Sequence, residues 1–318
     1  MGFVRCILGD VEVDELGVCD AHEHLIIDGE FIEEKYPEFL LCDVDVIVEG
    51  LVEFKELGGG WVVDTMPTGP GRNVEKVAEV SRRSNVPVVC PTGMHLGQYY
   101  LDDHAMMKMG RDEFVRLFAG EIENGMVAVH GKMTEYRAGV IKVAGSYEKL
   151  TDLEREVFCA AGYVSARTGC PIITHTEQGT AGVEQVEILK GQGVDLGHVV
   201  LSHCDRVKDE GYHRALLDMG VRLEYDNHFR ELLNGEQSYS IDLIAELCVD
   251  YPEQLVVGMD LARRSYWRGY DGGPGVGWLV AELPRILRQK GVEEIYIDRI
   301  LNRNALDVFS FYQPVACR

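Results

Sequence analysis

The run AGVIKVAGSYEKLTDLEREVFCAAGYVSARTGCPIITHT, residues 138–176, holds two short β-branched segments around one helical pattern. AGVIKVA (138–144) and PIITHT (171–176) have the length and Val/Ile content of buried strands. Between them, TDLEREVFCAAGYVSARTG (151–169) spaces its apolar residues near 3.6. Thr151 and Glu154 make a capping box at its start, and Gly169 follows the last periodic residue. The same alternation extends in both directions. GVCDAH (17–22), WVVDTM (61–66), VPVVCPT (86–92), HVVLSH (198–203), VRLEYD (221–226) and LVVGMD (255–260) are further short strands. Most of them end in a polar or ionisable residue. Helical patterns such as VDVIVEGLVEFKEL and SIDLIAELCVD lie between them. Eight strand–helix units without a linker or a repeated block predict a single (β/α)8 barrel domain over 1–318. An open, doubly wound sheet is the alternative. Two connections, 93–137 and 261–276, exceed a plain unit and are expected at the C-terminal mouth, where barrel enzymes build their sites.

Composition narrows the function. The chain has 318 residues, 46% of them hydrophobic, enough for a large core. No run approaches 18 consecutive apolar residues, which excludes a membrane-spanning helix. The opening MGFVRCILGDVEVDELG carries acids where a signal peptide needs an apolar stretch, which argues against secretion. Nine cysteines, at 6, 19, 42, 90, 159, 170, 204, 248 and 317, show no CxxC pair and read as reduced thiols of a cytoplasmic protein. Fifty-three acids against 31 bases leave a net charge of −22. That field repels polyphosphate backbones and argues against a nucleic-acid partner. An anionic small-molecule substrate would need a local basic pocket.

Chemistry concentrates at the strand ends. His22 and His24 are two apart and can point to one face of a strand. His175 ends the fifth strand, His203 the sixth and Asp260 the eighth. Four imidazoles and a carboxylate at the same end of parallel strands converge on one volume, and their donor atoms suit Zn²⁺ or a similar first-row divalent ion. Lys142 interrupts the apolar fourth strand and would face the same mouth. Lysine is rarely buried unless paired. Burial leaves a neutral amine able to add CO₂ as a carbamate. A lysine that reaches solvent beyond the strand end is the plainer reading.

The order of HEH on strand one, lysine on strand four, histidines on strands five and six and aspartate on strand eight resembles the phosphotriesterase-like family of the amidohydrolase superfamily. ILGDVEVDELGVCDAHEHL, AGVIKVA, THTEQG and LNRNALDVF resemble it in turn, nearly end to end. The resemblance implies a (β/α)8 barrel with a binuclear metal centre, a homodimer, and hydrolysis of activated esters. His22, His24 and Asp260 would hold the buried metal, and His175 and His203 the more exposed one. A carbamylated Lys142 and a hydroxide would bridge them. Asp260 would take the proton from that hydroxide as it attacks. Sites of this kind accept Zn, Mn or Co.

The family divides mainly between lactonases and organophosphate triesterases, and some members resemble hydrolases of phosphorylated sugar lactones. In the eighth loop, DLARRSYWRGYDGGPGVGW, Arg263, Arg264, Arg268 and Tyr266 can recognise a phosphate or carboxylate, and GGPG offers backbone N–H groups. Pairing with surface acids is the competing role for these arginines. Arg230 in the seventh loop is a further candidate. In the third loop His95 stands where relatives often carry an aromatic residue, with Tyr99 and Tyr100 close behind. Met94, Leu96, Met106, Met107 and Met109 suit either a soft lid or packing under the loop. Cys204 reads as core filler. His104, His130, His213 and His228 read as surface groups or outer neighbours of the site, and His198 as lying at the far face. These features favour a metal-dependent hydrolase of a small polar, phosphorylated or acidic sugar lactone. A phosphotriesterase, or a catalytically silent barrel that binds ligands, is the alternative.

Overall fold

A computed structural model describes residues 2–69 and 71–314. Cys317 lies outside them. A hairpin, Phe3–Cys6 with Gly9–Glu12, precedes eight parallel barrel strands. These are β1 (Val18–Glu23), β2 (Gly59–Asp64), β3 (Val88–Val89 and Pro91–Gly93, interrupted at Cys90) and β4 (Val140–Gly145). They continue with β5 (Ile172–Thr176), β6 (Val199–Ser202), β7 (Arg222–Tyr225) and β8 (Leu255–Val257). Each pairs in parallel with the next. Asp260 N–H donates to His22 O at 2.8 Å just beyond β8, which brings the last strand back to the first.

Alternation along the strands decides what faces inward. Val140 of β4, Ile173 of β5, Val200 of β6 and Val256 of β8 meet Trp61 and Val63 of β2 in one buried cluster. The helix Asn304–Phe309 packs against the same cluster with Val4 and Cys6 of the hairpin, closing the N-terminal end. Each such side chain contributes roughly 1.5–3 kcal/mol by leaving water. One step toward the mouth on the same faces come Lys142, His175 and Glu224, and Asp260 follows two steps after Val256. In β1 the interior residues Cys19 and Ala21 would send His22 to the outside. A register shift between Asp20 and Glu23, where three residues oppose two on β2, turns it in.

The helix Asp152–Thr168 starts as expected. Thr151 Oγ1 accepts from Glu154 N–H at 3.2 Å, Glu154 Oε2 accepts from Thr151 N–H at 2.8 Å, and Gly169 ends it with φ 73°. The third connection departs from expectation. Only its first part, with short turns at Gly97–Tyr99 and Ala105–Lys108, covers the mouth. Arg111–Glu123 is an outer barrel helix. The segment beyond it forms a short antiparallel pairing, Val127 with Met133. Met94, Leu96 and Met106 are buried, so these residues pack under the loop. Among the described residues no helix is long and apolar enough to cross a membrane, and the eight described cysteines are free thiols.

Candidate active site

At the C-terminal mouth lies a cavity of about 610 Å³. His22, His24, His95, His175, His203 and Asp260 line it. His22 and His175 sit within their strands, and His24 one residue past β1. His203 and Asp260 lie past the regular ends of β6 and β8, in left-handed conformations at φ 66° and 45°. Non-glycine residues there carry strain, which here turns His203 inward where a continued strand would not.

His22 Nε2 and His24 Nε2 lie 3.7 and 3.4 Å from Asp260 Oδ1. The ring of His203 is 4.7 Å from that of His22 and 4.6 Å from that of His175. Three rings have a carboxylate on the nitrogen that faces away. Glu224 accepts from His22 Nδ1 at 3.2 Å, Asp226 from His203 Nδ1 through a short bond, and Glu177 from His175 Nε2 at 2.9 Å. The opposite nitrogen of each ring keeps its lone pair for a cation. His22, His203, Glu224 and Asp226 also form a tight donor group. The acids there serve as braces, since they occupy the Nδ1 atoms.

Lys142 is fully buried between these groups, and its Nζ has no hydrogen-bond partner. Burial pushes the amine down to about 8, against the pull of Glu224, Asp260 and Asp226. Burial also holds His22 and His203 well below the ordinary imidazole range and His24 at about 3, so the rings are neutral and able to ligate. It raises Asp260 to about 6, opposed by Arg230. An orphaned buried amine beside neutral imidazoles and acids is costly on its own. The His and Asp donors fit a divalent cation.

Basic groups ring the acids. Arg230 donates to Asp226 Oδ1 and Asp260 Oδ2, each at 2.9 Å, and Arg206 lies 3.7 Å from both carboxylates. Arg230 lines the cavity as expected of it and also holds both carboxylates. Arg263 lines the cavity, stacked 5.3 Å over Phe39, and Tyr266 and Lys208 line it too. Arg264 turns away onto Tyr270 at 4.1 Å, and Arg268 pairs with Glu53 and Pro274 O. The Gly273 and Gly275 N–H groups are spent on Ser265 O and Tyr266 O. Of the residues expected to receive an anion, Arg230, Arg263 and Tyr266 line the cavity, and Arg264 and Arg268 do not. On the third loop, His95 Nδ1 accepts from Leu96 N–H at 2.7 Å, so the neutral ring carries its proton on Nε2. Its ring lies 5.0 Å from that of His175 and 4.8 Å from Tyr99.

Among the other histidines, His198 bonds Val308 at the far end, and His104 caps the turn that follows it. His213 and His228 are fully buried, not at the surface. His213 bonds Tyr225 and Val207, and His228 stacks on Trp278. Cys204 is buried filler as expected. Sequence reading missed Glu177, Arg206, Glu224 and Asp226. The i, i+2 acids at the end of VRLEYD were the available signal.

A barrel with inward-facing metal donors at its mouth defines the class, a metal-dependent hydrolase scaffold. The profile of the phosphotriesterase family matches residues 2–309, and the chain belongs to that family. It is 28% identical to a phospho-furanose lactonase of Mycoplasmopsis agalactiae, covering 98% of this chain and 92% of the relative. The crystal structure of an amidohydrolase from Mycoplasma synoviae superposes with a TM-score of 0.93 at 28% identity, covering 99% of this chain and 93% of that one. A lactonase of Listeria monocytogenes superposes with a TM-score of 0.90 at 27% identity, covering 98% of this chain and 100% of that one.

Proposed function

We propose that the protein hydrolyses a small, polar, phosphorylated sugar lactone, using two divalent cations with zinc the first choice and manganese or cobalt as substitutes. His22, His24 and Asp260 would hold one cation and His175 and His203 the other, and a carbamylated Lys142 would supply both with oxygen ligands. The observation that carries the reading is the unpartnered, buried Lys142 Nζ among neutral imidazoles and acids. Bound there, the cations supply water activation and polarisation of the carbonyl. Lactonase names among relatives that match over nearly the whole chain support the ester class.

The chain's own groups supply the rest. Asp260 directs Oδ1 at His22 and His24 while Arg230 holds its Oδ2, so Oδ1 is the atom placed to take a proton from the attacking water. His95, with its proton on Nε2, donates to a lactone oxygen. Arg263, with Tyr266 and Lys208, receives the substrate's anionic group against an overall charge of −22. The arginines and the lysine also attract the anion to the mouth.

The test is a panel of phosphorylated and plain aldonolactones beside a paraoxon-type triester, followed with a pH indicator. Turnover of the phosphorylated lactones, lost to chelator and restored by zinc, is the expected result. Efficient triester cleavage with no lactone turned over overturns the reading in favour of a phosphotriesterase. A chain that takes up no metal and turns over nothing is a binding barrel.

A further inference from the structure

We propose that Glu177 is a positioning residue that sets the affinity of the exposed cation position without affecting the buried one. The proposal rests on the two-cation reading above. Glu177 Oε2 accepts from His175 Nε2 at 2.9 Å, so His175 carries its proton there and offers Nδ1 to the cavity. For His22 and His203 the pattern is inverted. Glu224 and Asp226 occupy Nδ1, which leaves Nε2 to ligate. His175 therefore needs the opposite tautomer, and Glu177 selects it.

The turn that carries Glu177 is fixed from two sides. Glu177–Gly179 follows β5 directly, and Gly179 has φ 78°. A Cβ at Gly179 would lie 3.1 Å from His203 O and Cys204 O and 2.8 Å from Val207, so the turn packs on the one that presents His203. Thr180 Oγ1 donates to Glu177 O at 2.8 Å and accepts from Glu148 N–H at 2.7 Å, which ties it to the loop after β4. Glu177 thus braces His175 from a turn packed on the one that presents His203, and among the described residues it makes no bond to His22, His24 or Asp260. Unlike the fully buried Glu224, its side chain is 30% exposed. It stands between the catalytic cavity and a second one of about 710 Å³ lined by Met94, Leu96, Ser146 and Leu153. A partly exposed brace can be removed with little damage to the fold.

The experiment is zinc titration of the metal-stripped full chain in bicarbonate buffer for wild type, E177A and E177Q, with thermal unfolding of each stripped protein. The weaker of two equivalents should lose affinity about 10- to 100-fold in E177A, as removal of an outer carboxylate does. The tighter equivalent and the stripped Tm should hold. E177Q, whose amide oxygen still accepts from Nε2–H, should recover part of the loss and carries the test if E177A fails to fold. Equal weakening of both equivalents, or none, overturns the proposal. A wild-type chain that binds no zinc overturns the two-cation reading itself, an outcome distinct from two normal equivalents in E177A.

Discussion

Lys142→Met separates what the site costs from what it does. The folded amine sits at about 8 against an ordinary 10.5. That difference corresponds to about 3 kcal/mol against the buried ammonium at pH 7. Methionine fills a similar volume without a charge, so the metal-stripped variant should be more stable than wild type by about 2 kcal/mol after imperfect repacking. For a chain of this length that is roughly 3 °C in Tm. Because the folded value is lowered, the unfolded chain binds more protons between pH 8 and 10.5. Wild-type stability should therefore rise relative to the variant across that window, and the gap should close by its upper end. Metal addition should raise the Tm of wild type and leave the variant unmoved. Lactonase turnover in the variant should fall on the order of 10³-fold or more. The assay is a pair of thermal melts at pH 7 and pH 10, stripped and zinc-loaded. A stripped Lys142→Met protein that is less stable than wild type at pH 7, with a gap indifferent to pH, would refute the reasoning.

Arg263→Ala should raise KM for phosphorylated lactones at least about tenfold more than for plain ones, since it removes a charged contact to the phosphate alone. Arg264→Ala, which loses its stacking on Tyr270 and its bond to Leu40 O, should leave that ratio unchanged and cost about 1 kcal/mol of stability by urea titration. Asp260→Asn should leave the circular dichroism spectrum intact while kcat falls on the order of 10²-fold or more, and a wild-type rate would sink its role as proton acceptor. Glu121 is buried against Arg72. Burial alone would raise its carboxyl, but Arg72 prevails and holds it below 4.5. Its contribution is complete above that value and lost as pH falls through the lower folded one. Glu121→Gln should therefore cost about 3 kcal/mol at pH 7 and flatten the acid limb of the stability curve.

Much of the site was legible because polar residues at the ends of apolar runs are hard to place anywhere but a functional mouth. His22, His24, Lys142, His175, His203 and Asp260 all stand out this way; the histidines and Asp260 line the cavity, and Lys142 is fully buried. Arg263 and Arg264 show where that reading stops. Adjacent in sequence and equal in chemistry, they differ only in direction, and a turn at Arg264–Tyr266 sends one into the cavity and the other onto Tyr270. Arg230 was read as a receptor for substrate anions because its partners, Asp226 and Asp260, lie four and thirty residues away.

The amino-acid order by itself determined the eight parallel strands, the helix between β4 and β5 with both its caps, and the residue types that meet at one end. These follow from local periodicity and from the rule that one strand face must be buried. Only the tertiary structure decided that a bulge in β1 turns His22 inward and that a left-handed turn aims His203. It also decided which carboxylate braces which imidazole. Those outcomes depend on contacts between strands distant in the chain, where a shift of one residue exchanges the two faces.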